Sequence, residues 1–206
     1  MRANNTKKTS QVRRSIAAEA ARIMSTQSQF NYRAAKQKAA ERLGINLRTS
    51  MPSNAEVESA LRAYQDFYGG RQHIHHLQKK RKVALDVMRS LESFCPRLVG
   101  PVLEGTANEH TRVSLHVFND PPDAVLIHLL DKGLVFRNEQ RKIRWYDGSY
   151  RLVQILVTEA KDLEVELSLF NCMDLRQAPP SPVDGRPLKR ASLSEVECLL
   201  VKETSA

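Results

Sequence analysis

The 206-residue chain contains no run of 18 or more apolar residues, so no membrane-spanning helix is expected. Its first fifteen residues lack the apolar stretch of a secretory signal. Cysteine is scarce and odd in number, with Cys95, Cys172 and Cys198 far apart. That spacing matches no metal motif and speaks against a disulfide framework, so the expected location is the reducing cytoplasm. No internal repeat is present, which excludes a repeat array. Acidic residues are missing from the first eighteen positions, Glu19 being the first. A transit peptide can share that trait, but a plain basic tail over residues 1–11 is the simpler reading.

What the chain does have is positive charge, and it is unevenly placed. Residues 1–95 carry 18 Lys and Arg against 7 Asp and Glu, a net +11, and residues 96–206 carry 14 against 16, a net −2. Cations gathered in one segment are the footprint of a polyanion partner, because Lys and Arg on phosphates release condensed counterions. The competing reading is a solvated helical surface. The cations singled out for a nucleic-acid contact are Lys7, Lys8, Arg13 and Arg14, and the run Lys79, Lys80, Arg81 and Lys82. Four consecutive cations wrap most of a helix, so they cannot all be buried on one apolar face. His73 and His76 would share a helix face, but no third ligand accompanies them, so they read as polar surface and no metal site is assigned.

From Val12 the apolar period is helical: Val12, Ile16, Ala20, Ile23 and Met24 fall on one stripe. Asn31 is placed to cap a second helix that ends at Gly44. Ser53 and Glu56 form a capping box for a third, which Gly69-Gly70 closes. A long fourth helix is expected over residues 73–94. Residues 12–70 therefore read as a helical unit and residues 71–206 as a second part. In that part the pattern changes. Leu98 to Leu103 reads as a buried strand, Gly105-Thr106 as a turn, and Val113, Leu115 and Val117 alternate with Ser114, His116 and Phe118. Asp120 is the expected cap of a short apolar helix. Asp147-Gly148 marks a hairpin, strands are expected over 150–158 and 163–170, and Ser192 with Glu195 caps a C-terminal helix. The expected fold class is α+β: a helical N-terminal unit, then a mixed sheet with flanking helices.

The order strand, Gly-Thr turn, strand, helix, antiparallel strands over residues 82–170 resembles the nucleotidyltransferase superfamily, the fold of polymerase β and the minimal nucleotidyltransferases. Within it the chain looks like nucleotidyltransferase-like proteins of proteobacteria with a basic helical N-terminal segment. The resemblance implies a small-residue turn that approaches phosphates, here Gly105 and Thr106. It also implies two acids two apart on the next strand and a third acid on a later one. Such carboxylates hold Mg²⁺, which neutralises a triphosphate and activates a hydroxyl. In this chain the two acid positions carry Ser114 and His116, and Glu166 is the candidate third acid. Neither Ser nor His gathers a hard cation as a carboxylate pair does.

The expectation is therefore a nucleotidyltransferase-like protein with a degenerate metal site, acting as a nucleic-acid binding or regulatory module, with RNA the first candidate. No cofactor is expected for that role. An active nucleotidyltransferase would need Mg²⁺ and an unconventional site built on Glu166 and His116. A protein-interaction module is the third alternative.

Overall fold

Local start and stop signals shape the N-terminal elements. The computed structural model describes residues 2–26, 31–46 and 51–204, with side chains for 9–202 within those ranges. Helix α1 covers Arg2–Thr26, α2 Tyr32–Arg42 and α3 Asn54–Tyr68. The Asn31 side chain accepts from the Arg33 and Ala34 N–H groups, and Ser53 and Glu56 close their reciprocal box. Ile16, Ala17, Ala20 and Ile23 of α1 pack with Ala35 and Ala39 of α2 and Val57 and Leu61 of α3. Residues 2–11, expected as a disordered tail, instead belong to α1. No Gly or Pro precedes Gly44, and lengthening a nucleated helix adds one hydrogen bond per residue ordered.

Contacts divide the chain into two units. The first holds the chain to Ile74 with Asn108–His110 and Pro182–Asp184, and the second holds His75–Ala107, Thr111–Ser181 and Gly185–Ala206. Within the first unit, Asn108 Nδ2 donates to the Met24 carbonyl at 2.9 Å and Asn54 Nδ2 to the Pro182 carbonyl at 2.6 Å. The division falls inside α4 (Gly70–Ser90), which begins earlier than the expected His73. Gly69-Gly70, expected as a full stop, makes only a one-residue break, with Gly70 at φ 49°.

The second unit continues with β1 (Arg97–Val99), α5 (Gly100–Glu104), β2 (Val113–Phe118), α6 (Ala124–Asp131), β3 (Phe136–Arg144), β4 (Tyr150–Ala160), β5 (Leu163–Phe170) and α7 (Leu193–Thr204). The strand expected to reach Leu103 stops at Val99. Gly100 turns the backbone at φ 71°, and Pro101 is preset for a first helical turn. Asp123 rather than Asp120 precedes α6, while the Asp120 carboxylate accepts from the Cys172 N–H at 3.2 Å.

The five strands form one mixed sheet in the order β1-β2-β5-β4-β3. The β2/β5 pair is parallel, and the other pairs are antiparallel. Strand side chains alternate between faces. One face presents Leu98, Val113, Leu115, Val117, Leu156, Val165, Leu167 and Leu169 to Leu77, Val83, Ala84 and Met88 of α4, Val125 and Leu129 of α6, and Val196 of α7. Each such Leu or Val contributes roughly 1.5–3 kcal/mol by burial. The fold is α+β, and these helices lie on that one face of the sheet. The other face carries the polar residues of the candidate site. Among the described residues no helix is long and apolar enough to cross a membrane.

Candidate functional site on the open sheet face

Ser114 and His116 lie two apart on β2 and so share the face away from α4. Directly across the parallel pairing, Ser114 is in register with Glu166 and His116 with Ser168. Arg97 of β1 stands opposite His116 on its other side. On β4 the same face shows Val153, Ile155 and Val157, and on β3 it shows Arg137, Glu139 and Arg141.

Glu166 is buried, and its carboxylate is occupied from two sides. Ser114 Oγ donates to Oε1 at 2.9 Å. The Arg141 guanidinium grips both oxygens at 3.1 and 3.0 Å, a two-pronged pairing that holds the carboxylate in a defined orientation. Arg112 is 3.9 Å from Glu166 and bonds Glu164 at 2.9 Å and Glu139 at 3.3 Å. Arg137 completes this ladder through its own pair with Glu164. The Arg112 hydrogen bond, with Arg137 adding to it, holds the Glu164 carboxyl below its usual range.

His116 is likewise enclosed. Its ring packs on Phe170 with centroids 4.6 Å apart, and Nδ1 accepts from Arg190 Nε at 3.1 Å. Burial, then the charges of Arg190 and Arg141, pushes its pKa down to about 3. The ring is therefore neutral at pH 7, with its hydrogen on Nε2. Phe118, Phe170 and Val153 form a small apolar cluster beside it, with Ile143 and Leu175 packed against them.

These donors do not fit a magnesium ion. Beside Ser114 the Glu166 carboxylate is already bound by a guanidinium and a hydroxyl, and Glu139 and Glu164 on the same face are paired with Arg112. The other neighbouring groups are guanidinium cations and a neutral imidazole, and every nearby carboxylate is engaged by arginine, whereas hard cations need several anionic oxygens with free lone pairs. Among the described residues no group of three or more His, Cys, Asp or Glu side chains is placed to hold a metal.

Gly105 and Thr106 do not form a phosphate cradle. Gly105 is the left-handed C-cap of α5 at φ 86°, and the N–H groups of both residues donate to the Pro101 carbonyl at 2.9 Å. Their amides are consumed in ending a helix, as left-handed glycine caps commonly are. The bend directly after β1 is Gly100 instead.

The basic run on α4 divides. Lys79 and Lys82 are exposed, whereas Lys80 and Arg81 are buried, 3% and 5% exposed. Lys80 Nζ donates to the Thr111 carbonyl at 2.7 Å. Arg81 donates to the Val102 and Leu103 carbonyls at 3.0 Å each, where the α5 dipole ends negative. Those two cations hold the fold and are withdrawn from any phosphate contact. Near the N-terminus Arg13 pairs with Glu56 at 2.7 Å, and Arg14 is exposed. The side chains of Lys7 and Lys8 lie outside the described residues. Trp145 is buried, with the Arg151 guanidinium 3.9 Å from its ring centroid, so it packs beside the hairpin.

Four residues of this face escaped sequence reasoning: Arg97, Arg137, Arg141 and Arg190. A period-two run of charges over Arg137, Glu139 and Arg141, set against Glu164 and Glu166, is the signal that points to a cross-strand ladder. Nothing local marks Arg190. None of the family models, curated proteins or solved structures compared with the chain matches it.

Proposed function

We propose that the chain is a nucleotidyltransferase-like protein that has given up metal-dependent transfer and works as a nucleic-acid binding or regulatory module, with RNA as the favoured partner. One observation carries the reading. At the place where the resemblance puts a metal-binding acid cluster, Ser114 and His116 stand at two of the positions, and the Glu166 carboxylate is bound by Arg141 and Ser114. The exposed Arg14, Lys79 and Lys82 supply cations for phosphate contacts, and no ion pair occupies them among the described residues. Likeness of fold assigns no activity by itself, so the reading rests on these residues.

Filter binding to single-stranded RNA across a salt series tests it. Affinity should fall steeply with salt, and Lys79→Ala with Lys82→Ala should flatten the log–log slope by about 1.4, at ~0.7 per phosphate contact. Absence of binding at low salt, or a flat slope, overturns the reading. Incubation with labelled nucleoside triphosphates and Mg²⁺ or Mn²⁺ should give no transfer. Transfer lost in Glu166→Ala would make the protein an enzyme instead.

A protein-interaction role has one observation in its favour: Ile127, Leu130 and Val135, on and just after α6, are 57%, 57% and 87% exposed. A purified complex that survives nuclease treatment and is lost in Val135→Asp would support that role.

A further inference from the structure

The β3/β4 hairpin outruns the helices that cover the sheet. On the helix-covered face Leu156 of β4 is fully buried, yet Leu152 and Tyr150, nearer the turn on the same side of the same strand, are 70% and 59% exposed. Opposite them on β3 stand Lys142 and Arg144, and Gln140 faces Gln154 between these and the core. All of these are exposed except Gln154, which is half-buried. β3 ends the sheet, so its outer edge carries no further strand among the described residues.

This patch is positive and holds no acid. Lys142 Nζ lies 4.8 Å from the centroid of the Tyr150 ring, and neither Lys142 nor Arg144 has an ion-pair partner among the described residues. The acids of the hairpin lie elsewhere: Glu139 and Glu159 alternate onto the opposite face, and Asp147 in the turn accepts from the Ser149 N–H at 2.9 Å. Exposed apolar side chains framed by unpaired cations mark a surface that meets a partner. A second copy of the chain seated there would add two more cations and no acid. An acidic peptide supplies the charge without a flat π surface. A nucleic-acid strand supplies both, phosphates for the cations and bases for the ring, and its base edges match amides that donate and accept, as Gln140 and Gln154 do.

We infer that this face of the hairpin binds single-stranded nucleic acid, a base stacking on Tyr150 while Lys142 and Arg144 hold neighbouring phosphates. The ammonium beside the ring sets a phosphate contact next to a stacking platform, which is the alternation a strand presents. The inference rests on the nucleic-acid reading above, with RNA as the strand, and gives it residues other than Arg14, Lys79 and Lys82.

Fluorescence anisotropy of a labelled single-stranded RNA, titrated with the full chain across a salt series, tests it. Tyr150→Ala should weaken binding at least about fivefold, the loss of one stacked base, while Tyr150→Phe keeps it. Lys142→Ala with Arg144→Ala should flatten the log–log slope by about 1.4, at ~0.7 per phosphate contact. If Tyr150→Ala does not fold, this double variant decides alone, since both side chains are exposed. RNA bound as tightly by folded Tyr150→Ala as by wild type, or a slope unchanged in the double variant, overturns the inference and leaves Lys79 and Lys82 as the contact. No RNA binding at low salt overturns both this inference and the reading beneath it. Polyglutamate bound as tightly as RNA would give the face to an acidic peptide, and a dimer in sedimentation that Leu152→Asp dissociates would give it to a second copy; either result overturns the inference.

Discussion

The helical unit and the sheet unit accommodate their charged residues differently. In the helical unit the buried cluster is Ala, Ile, Met, Val and Leu. Its cations pair near the surface: Arg22 and Arg42 with Glu19, Arg13 with Glu56, and Arg62 with Glu58. On the sheet face, His116 and Glu166 are 5% and 6% exposed. A helix spreads its side chains around a cylinder, so long cations can lay their stems along it and keep their heads wet. A sheet face stands side chains side by side, and charges there bury one another and need partners on neighbouring strands. The two units therefore differ in where a substitution does harm.

The largest effect should come from truncating the sheet core. Leu167→Ala, fully buried on β5, should cost about 3–5 kcal/mol in a denaturant titration. Arg141→Ala should follow at about 2–3 kcal/mol, because it leaves Glu166 buried with only the Ser114 hydroxyl and the more distant Arg112, 3.9 Å away; half of the Arg141 side chain is already solvated, which keeps the loss below that of a fully buried pair. A variant as stable as wild type would show that the pair contributes nothing.

The helical unit should be most sensitive to enlargement. Ala20 is fully buried where α1 meets α2 and α3, and Ala20→Leu should cost about 2 kcal/mol through overpacking. A neutral result would mean that this core has slack.

His116 gives the comparison a pH dependence. Its folded pKa is about 3 against 6.5 ordinarily, so between those values the unfolded chain takes up a proton that the native chain refuses. Stability should fall as pH drops from 6.5 toward 3, by up to ~1.4 kcal/mol per pH unit. Glu19 and Glu56, held at about 2 chiefly by hydrogen bonds from Arg22 and Arg13, add their own loss only below about pH 4.5. His116→Gln should flatten the profile between pH 4.5 and 6.5, and a slope unchanged in that variant would place the proton uptake elsewhere. The smallest effect belongs to the caps: Ser53→Ala should cost about 1 kcal/mol in thermal unfolding.

Legibility in the sequence differed along the same line. The Ser53 and Ser192 capping boxes, the Asp147-Gly148 turn and the alternation of β2 are short-range patterns, and each is present in the fold. The strand expected through Leu103 was misread because Gly100-Pro101 looks like an interruption of a strand as much as the start of a helix. On α4, Lys80 and Arg81 could not be told from Lys79 and Lys82, since a helical run of cations carries no mark of which carbonyls lie above it.

What the sequence by itself determined is most of the elements, though not α5 or the start of α1, together with the α+β class and the sharing of one face by Ser114 and His116, because caps, turns and period-two alternation act over a few residues. Only the tertiary structure decided the chemistry of that face. It set Arg141 on Glu166 across 25 residues and Arg190 on His116 across 74. Partners that distant meet only through strand order and register, which no local pattern encodes.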